Sequence, residues 1–322
     1  MARYLVTGGA GFIGSHITER LIQDGHTVRV LDDLSSGRLE NLAAVRSQVE
    51  FVEGDIRDRH VVRQAVAGID AVIHEAAWRS VPKSMSDPYG YTQVNVLGTV
   101  NVLESAAAEK VKRVVAASSS SVYGNTEQLP LQEGQPLQPI SPYAMSKLCA
   151  EHYGQLFARS FGVEAVSLRY FNVFGPRQSL DDEYAVVVPK FITCLLKGES
   201  PPVYGDGLQS RDFTFIENVV QATIRATTAP GIGGEVFNVA CGEAHTVLEL
   251  LGELHRLLQC AIPPTFVSPR PGDVRKTSAD ITHARQRLGW QPTVGFADGL
   301  AQTVAWFQAQ ATRGRSPAHK TN

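Results

Sequence analysis

The sequence lacks a long hydrophobic run, an excess of charge of one sign and any close pair of cysteines. No apolar run approaches the ~20 residues that a membrane helix needs, so we expect no transmembrane segment. The chain has 30 Lys and Arg residues against 32 Asp and Glu residues, which gives a formal net charge of -2. This balance excludes a broad positive surface, so neither nucleic acid nor an anionic membrane is expected as a partner.

The cysteines and histidines form no pattern typical of disulfides or metal sites. The four cysteines are scattered over positions 149, 194, 241 and 260, and the nine histidines form no ligand-spaced cluster. His74, at the end of a predicted strand, is interpreted as a structural histidine. We expect reduced thiols and no metal. The first residues run directly into a strand without room for a signal peptide, which predicts a cytoplasmic protein.

Short apolar runs alternate with amphipathic segments through the first half of the chain. The runs that predict strands are 4–6, 27–31, 49–52, 71–74, 113–117 and 164–168. Most are rich in valine or isoleucine with few polar breaks, as in strands covered on both faces. Predicted helices lie between them, for example at 13–23 and 92–110. The alternation predicts an α/β fold with a doubly wound parallel sheet.

The second half has a different rhythm, because proline and glycine become frequent after Gly175 and Pro176. We predict one domain over residues 1–176, to which the chain returns at about 205–240. A smaller C-terminal lobe is predicted from residues 177–204 and 241–310. Residues 311–322 are small and polar, and we predict a flexible tail there.

A glycine-rich turn follows the first predicted strand and opens the first helix. Gly8, Gly11 and Gly14 permit a tight turn, close approach to a pyrophosphate and close helix–strand packing. This strand–turn–helix context predicts a Rossmann dinucleotide site. Asp32 ends the second strand, where a carboxylate accepts bonds from the adenosine ribose and favours NAD over NADP. Asp33 is an alternative for that role.

The residues after the third strand are a further cofactor candidate. Asp55 and Ile56 are predicted adenine contacts, although an acid at this position also stabilises turns.

A serine run and a tyrosine–lysine pair predict the catalytic chemistry. Residues 118–121 are all serine and follow the fifth strand, whereas Tyr143 and Lys147 lie on one face of the next helix. A tyrosine is a poor base at its ordinary pKa near ~10. An adjacent ammonium and a positive nicotinamide ring favour its phenolate, which then removes a hydroxyl proton while a hydride leaves the same carbon.

With these motifs in place, the chain resembles the extended short-chain dehydrogenase/reductases, and especially the nucleotide-sugar epimerases. The resemblance runs to about residue 305 through TGGAGFIG, LDDLSSG, GDIRD, HEAA, SSSSVYG, YAMSK, RYFNVFGPRQ and RPGD. It implies that the catalytic residues are Ser119, Tyr143 and Lys147. It also implies a homodimer joined by the helices at about 94–109 and 143–159.

The resemblance further implies which residues bind each ligand. The NAD contacts that it implies are Gly8, Gly11, Phe12, Ile13, Gly14, Asp32, Asp33, Ser36, Gly37, Asp55, Ile56, Ala76, Ala77, Asn95, Tyr143, Lys147 and Tyr170. For a nucleotide sugar, it implies that Asn172, Arg211 and Arg270 contact the diphosphate, since an arginine fork suits phosphate oxygens, and that Asp273 holds the ribose. The remaining substrate contacts expected in the lobe and around the cavity are Ser80, Val81, Ser119, Ser120, Tyr143, Val188, Tyr204 and Thr277.

Elimination among the members of the family favours one reaction. Related 4,6-dehydratases carry an Asp-Glu pair after the catalytic serine position, where this chain has Ser120 and Ser121. UDP-glucuronate epimerases tend to have threonine in place of Asn172. The remaining expectation is a UDP-hexose 4-epimerase that uses NAD. The open alternatives are a UDP-glucuronate 4-epimerase or decarboxylase, a dTDP-sugar epimerase or reductase and a non-catalytic NAD-binding regulator.

One side chain bears on the choice of sugar. In related 4-epimerases the position of Thr277 gates the substituent on C2 of the hexose. A tyrosine there excludes an N-acetyl group, whereas the smaller threonine leaves space. We therefore expect UDP-GlcNAc and UDP-GalNAc to be accepted as well as UDP-Glc and UDP-Gal.

Overall fold

A computed structural model describes residues 1–179, 187–269 and 275–315. Its strands are β1 (Arg3–Thr7), β2 (Thr27–Asp32), β3 (Val49–Glu53), β4 (Ala71–His74), β5 (Arg113–Ser119), β6 (Glu164–Tyr170), β7 (Val173–Phe174), β8 (Pro202–Tyr204), β9 (Ser210–Arg211), β10 (Thr214–Phe215), β11 (Val236–Val239), β12 (His245–Thr246) and β13 (Thr265–Val267). Its α-helices are α1 (Phe12–Gln23), α2 (Arg59–Val66), α3 (Val81–Ser86), α4 (Pro88–Tyr91), α5 (Gly98–Ala108), α6 (Pro142–Ser160), α7 (Val187–Lys197), α8 (Ile216–Thr228), α9 (Val247–Leu258), α10 (Thr282–Arg287) and α11 (Phe296–Arg315).

Seven strands form one parallel sheet in the order β11-β6-β5-β4-β1-β2-β3. The order reverses at β1, which lies between β2 and β4, and a doubly wound sheet binds ligands beyond the carboxyl ends of the strands at such a switch point. The predicted α/β fold class is confirmed.

Alternation along the strands places apolar side chains on both faces of the sheet. Val6 and Val30 are fully buried in one core cluster, while their neighbours Leu5 and Leu31 are fully buried in a second cluster on the opposite face. Both faces exclude water, so the strands contain the near-continuous apolar runs that identify them in the sequence.

The second half of the chain contributes one strand to the sheet and builds a smaller set of elements beside it. β11 pairs with β6 at the sheet edge. Two-stranded pairs form between β9 and β12 and between β8 and β13. The division into domains stays a prediction.

Two element boundaries differ from the sequence prediction. The single helix expected at 92–110 begins as a π-helical segment, Thr92–Leu97, and continues as α5. The tail expected from residue 311 instead continues α11 as far as Arg315. In the part of the chain that the structure describes, no helix is long and apolar enough to cross a membrane.

Candidate active site

A cavity of about 1450 Å³ opens along the carboxyl ends of the sheet strands. It exceeds the ~300–1,000 Å³ of an ordinary small-molecule pocket and so has room for two ligands. The predicted cofactor residues along it are Gly8, Gly11, Phe12, Ile13, Gly14, Asp32, Asp33, Ser36, Ile56, Ala76, Ala77, Tyr143, Lys147 and Tyr170. The predicted substrate residues along it are Ser80, Val81, Ser119, Ser120, Tyr143, Asn172, Arg211 and Thr277.

The glycine turn after β1 has the shape of a dinucleotide cradle. Gly8 has a φ of +68°, and a Cβ there would lie 2.7 Å from the Ala76 nitrogen. A Cβ on Gly14 would collide with the Gly8 carbonyl. Gly11 caps α1 without a side-chain hydrogen bond, so the first N–H groups of the helix face the cavity. Such a helix end binds phosphate oxygens, so these residues fit the pyrophosphate of NAD.

Asp32 is oriented by the backbone at the end of β2. Its carboxylate accepts hydrogen bonds from the N–H of Ala10 at 2.9 Å and of Leu34 at 2.9 Å. Burial raises the pKa of Asp32, and these two bonds oppose the rise. A Cβ on Gly37 would lie 2.6 Å from Asp32 Oδ1, so glycine there lets the loop close over the carboxylate. Asp33 instead accepts from Ser35 within its own exposed turn.

The predicted catalytic residues meet at the junction of β5 and α6. Ser119 ends β5, and its hydroxyl accepts from the Ser121 N–H at 3.2 Å. It also lies close enough to Tyr143 to lower the pKa of that phenol. Lys147 lies one turn beyond Tyr143, and its ammonium donates to the Ala117 carbonyl at 2.8 Å. Ser118 turns to the other face and donates to Glu151. The alternation of the strand thus selects Ser119 from the serine run.

Burial and the surrounding charges have opposing effects on the pKa values of Tyr143 and Lys147. Burial raises the pKa of Tyr143, while the hydrogen bond to Ser119 and the positive charge of Arg79 lower it. Burial lowers the pKa of Lys147, and the negative charges of Glu75 and Glu151 oppose this. A further positive group bound in the cavity would favour the Tyr143 phenolate.

Two edge-to-face ring contacts connect Tyr143 to Trp78 through Tyr91. The ring of Tyr143 meets the edge of Tyr91 at 6.4 Å between centroids, and Tyr91 meets Trp78 at 5.5 Å. Asn95 fixes this loop by accepting from the Trp78 N–H at 2.8 Å and donating to the Trp78 carbonyl at 2.9 Å. Trp78 therefore lines the cavity and also packs against Tyr91, which in turn packs against the catalytic tyrosine.

His74 has the structural role expected from the sequence. Thr99 donates its hydroxyl hydrogen to the Asn95 carbonyl, so it accepts from His74 Nε2 at 3.0 Å. Thr7 then donates to Nδ1 at 2.7 Å, which leaves one neutral tautomer. Burial lowers the pKa of His74 to about 3.

Asn172 and Thr277 meet at the far end of the cavity. Asn172 follows β6 with a φ of +35°, and its side-chain amide donates to Thr277 Oγ1 at 3.4 Å. Arg211 on β9 lies along the same region and donates to the Ser210 carbonyl at 2.9 Å. One asparagine, one arginine and one threonine from separate segments thus converge where the substrate is expected.

Several predicted residues do not contribute to the described cavity lining. Asp55 accepts from the backbone and guanidinium of Arg57 at 2.7 and 2.8 Å, which favours its role in the turn. Gly37 lies against the Asp32 carboxylate, and Asn95 accepts from the Trp78 N–H. Val188 is buried in the core, and Tyr204 lies outside the described lining. Arg270 and Asp273 lie outside the described residues.

Sequence reasoning missed Glu75, which lines the cavity and accepts a hydrogen bond from Tyr170 at 2.7 Å. Its sequence signals are an acid directly after the apolar run of β4 and its place in the HEAA motif, to which no role was assigned. Among the described residues, no group of three or more His, Cys, Asp or Glu side chains is placed to hold a metal ion.

Comparison with known proteins decides the family. A family model described as the NAD dependent epimerase/dehydratase family matches residues 4–240. The chain belongs to this family. The family and its NAD cofactor, both expected from the sequence, are confirmed.

Similar members of the family span nearly the whole chain. A UDP-glucose 4-epimerase from Mycolicibacterium smegmatis is 41% identical over 310 residues, which cover 95% of this chain and 98% of the relative. A UDP-N-acetylglucosamine 4-epimerase from Methanobrevibacter ruminantium, in complex with UDP-N-acetylmuramic acid, has a TM-score of 0.92 at 38% identity and covers 96% of this chain and 99% of that one. The UDP-glucose 4-epimerase of Thermus thermophilus in complex with NAD has a TM-score of 0.88 at 38% identity, with 95% and 99% covered.

Proposed function

We propose that the protein is an NAD-dependent 4-epimerase of UDP-hexoses. The observation that carries the proposal is the contact of Tyr143 with Ser119, beside Lys147, in the cavity that also contains the glycine turn. The activities named for the relatives support the same reaction. The absence of an Asp-Glu pair at Ser120 and Ser121 argues against the dehydratase alternative.

The protein's own residues carry the proton in this reaction. The Tyr143 phenolate removes the proton of the C4 hydroxyl and returns it after the sugar has turned over. Ser119 orients the reacting oxygen, since the Ser121 N–H occupies one acceptor site of its hydroxyl and its hydrogen can be donated to the Tyr143 phenolate or to the sugar oxygen. The positive charge of Arg79 favours the phenolate. Lys147, one helical turn from Tyr143, is proposed to add positive charge on the same side of the cavity. Bound NAD supplies the reversible hydride acceptor that the oxidation of C4 requires.

Substrate binding is assigned to the far end of the cavity. Asn172 and Arg211 would hold the diphosphate, so that the hexose reaches Tyr143 and can rotate without leaving. Arg270 and Asp273 are proposed as additional nucleotide contacts from the sequence alone.

A proton NMR time course with purified protein tests the proposal. UDP-GlcNAc and UDP-Glc are incubated separately, first without added NAD. Anomeric signals of the 4-epimers should grow to an equilibrium mixture. No added NAD should be needed, because the cofactor is regenerated in each turnover and is expected to stay bound to the purified protein. Unchanged spectra after NAD is added would overturn the 4-epimerase assignment, and UDP-glucuronate and dTDP-sugars would be tried next.

The substitution Thr277→Tyr is expected to narrow the choice of sugar. Thr277 lines the cavity beside Asn172, and a phenol ring there would occupy space that a C2 N-acetyl group needs. The ratio of kcat/KM for UDP-GlcNAc to that for UDP-Glc should fall by about 100-fold. Thr277→Ser keeps the hydroxyl and should leave the ratio near the wild-type value. An unchanged ratio in Thr277→Tyr would remove Thr277 as the gate.

We also propose that two copies associate through the outer faces of α6 and the helix before α5. Exposed apolar side chains follow these helices at Leu97, Met145, Tyr153 and Leu156, with exposures of 53, 49, 37 and 47%. Sedimentation should show a dimer, and Leu97→Glu with Leu156→Glu should raise its dissociation constant more than about tenfold. Leu208→Glu, at another exposed apolar site, should remain dimeric. A monomeric wild-type protein would exclude this interface.

A cytoplasmic location is proposed as well. The free thiols of the four cysteines and a nucleotide-linked substrate support it. Fractionation of cells that express the tagged protein tests it.

A further inference from the structure

Glu75 is an acidic group in the cavity to which the proposed reaction assigns no task. It follows β4 directly, and the strand alternation turns it away from His74. His74 contacts Thr7 and Thr99 on one face, whereas Glu75 contacts Tyr170 on the other. An acid that shares the cavity with the catalytic residues and forms no ion pair within the described residues needs a physical explanation.

A chain of hydroxyl groups connects Glu75 to α8. Tyr170 is hydrogen-bonded to Glu75 at 2.7 Å and to Thr223 at 2.9 Å, and Thr223 donates to the Val219 carbonyl at 2.8 Å. Three contacts need three hydrogens, but the two hydroxyls supply only two. A protonated Glu75 completes the chain by donating to Tyr170, whereas an ionised Glu75 takes the Tyr170 hydrogen and leaves the contact with Thr223 without one. The hydrogen-bond geometry thus accommodates both charge states of the acid.

Glu75 also acts electrostatically on both catalytic groups. Its negative charge raises the pKa of Tyr143 and the pKa of Lys147. Burial raises the pKa of Glu75 itself, while the Tyr170 hydrogen bond and the charge of Lys147 lower it.

Other charged groups act on the catalytic pair from other directions. Glu151 faces Lys147 from α6, Arg79 faces Tyr143 from the loop after β4, and neutral His74 lies on the opposite face of β4. Among the acids that the structure describes, Glu75 is therefore the one that influences Tyr143 and Lys147 together.

We propose that Glu75 is a positioning residue for the reaction, which acts through its charge on the Tyr143–Lys147 pair and is held by the Tyr170–Thr223 hydroxyl chain. The inference rests on the proposed function for its effect on turnover. Its effect on Tyr143 is independent of turnover, so the two can fail separately.

The substitution Glu75→Gln removes the charge and keeps the shape. Loss of a neighbouring negative charge favours the Tyr143 phenolate, and it disfavours the Lys147 ammonium. The pKa values of both groups therefore fall. Both limbs of the profile of kcat/KM against pH should move to lower pH by about one unit. A role in packing alone would lower the rate without moving the limbs.

The direct test is a pH titration of tyrosinate absorbance in the NAD-bound protein. Subtracting the curve of Tyr143→Phe from that of the parent isolates Tyr143, and this difference is compared between the wild-type and Glu75→Gln backgrounds. The Tyr143 transition should move about one pH unit lower in Glu75→Gln. Glu53→Gln, which removes the same charge from an exposed position at the end of β3, should leave it unchanged.

The outcomes separate the inference from the proposed function. An unmoved Tyr143 transition in folded Glu75→Gln overturns the inference. A moved transition in a protein that epimerises no UDP-hexose upholds the charge effect and overturns the reaction. If Glu75→Gln does not fold, Glu75→Met is used instead. It removes the same charge at a similar side-chain volume, so a downward shift of the Tyr143 transition supports the inference and no shift overturns it.

Discussion

Replacing Tyr143 with phenylalanine is expected to reduce the turnover of UDP-hexose about 10³-fold. The hydroxyl of Tyr143 is the group that moves the proton of the C4 hydroxyl. Its neighbour Ser119 has an ordinary alcohol and cannot replace it as a base. Lys147 cannot replace it either, because it lies one helical turn from Tyr143 and its ammonium donates to the Ala117 carbonyl at 2.8 Å.

The same substitution should leave the fold and NAD binding nearly unchanged. The ring of Tyr143 packs on Tyr91 at 6.4 Å, and phenylalanine keeps that contact. Thermal unfolding and NAD titration would establish this, with Tyr89→Phe on α4 as a control. Tyr89 is 72% exposed and lies outside the described cavity lining, so loss of its hydroxyl should not alter the rate. Turnover of Tyr143→Phe within tenfold of wild type would exclude Tyr143 as the base.

The strands and the cofactor turn could be predicted because local sequence determines them. Val6 and Leu5 face opposite cores, so the run that contains them is apolar throughout. The turn at Gly8 requires a positive φ and has no space for a side chain, so glycine is required there. Such constraints act over a few residues and remain visible in the sequence.

The hydrogen-bond network around the site could not be predicted in the same way. Glu75, Tyr170 and Thr223 come from three parts of the chain, and only the folded sheet places the Tyr170 hydroxyl 2.7 Å from Glu75 and 2.9 Å from Thr223. Asp55 is a second example, since its carboxylate accepts from Arg57, a contact that the sequence did not indicate. Its predicted contact with adenine stays a prediction. Local pattern predicts which residues reach the cavity edge but not which neighbour each side chain binds.

Replacing Glu151 with alanine is expected to lower the free energy of unfolding by about 3–5 kcal/mol. Glu151 and Arg169 form a buried ion pair at 2.8 Å, with side-chain exposures of 2 and 3%. Arg169 also donates to Tyr123 at 2.9 Å, and Ser118 donates to Glu151. Removing the carboxylate leaves a guanidinium without its counter-charge in the protein interior, and this uncompensated charge accounts for most of the loss.

Urea denaturation measures the effect, and an exposed pair on the same protein provides the matched control. Arg59 and Glu104 also form an ion pair, but their side chains are 70 and 53% exposed. Glu104→Ala should therefore cost less than about 1 kcal/mol, because water already screens that pair. A loss for Glu151→Ala no larger than that for Glu104→Ala would show that Arg169 finds another partner. Glu151 lies one turn beyond Lys147 on α6 and accepts from Ser118, the neighbour of Ser119. Glu151→Ala should therefore also lower turnover, and it should do so at urea concentrations where the wild-type protein is still folded.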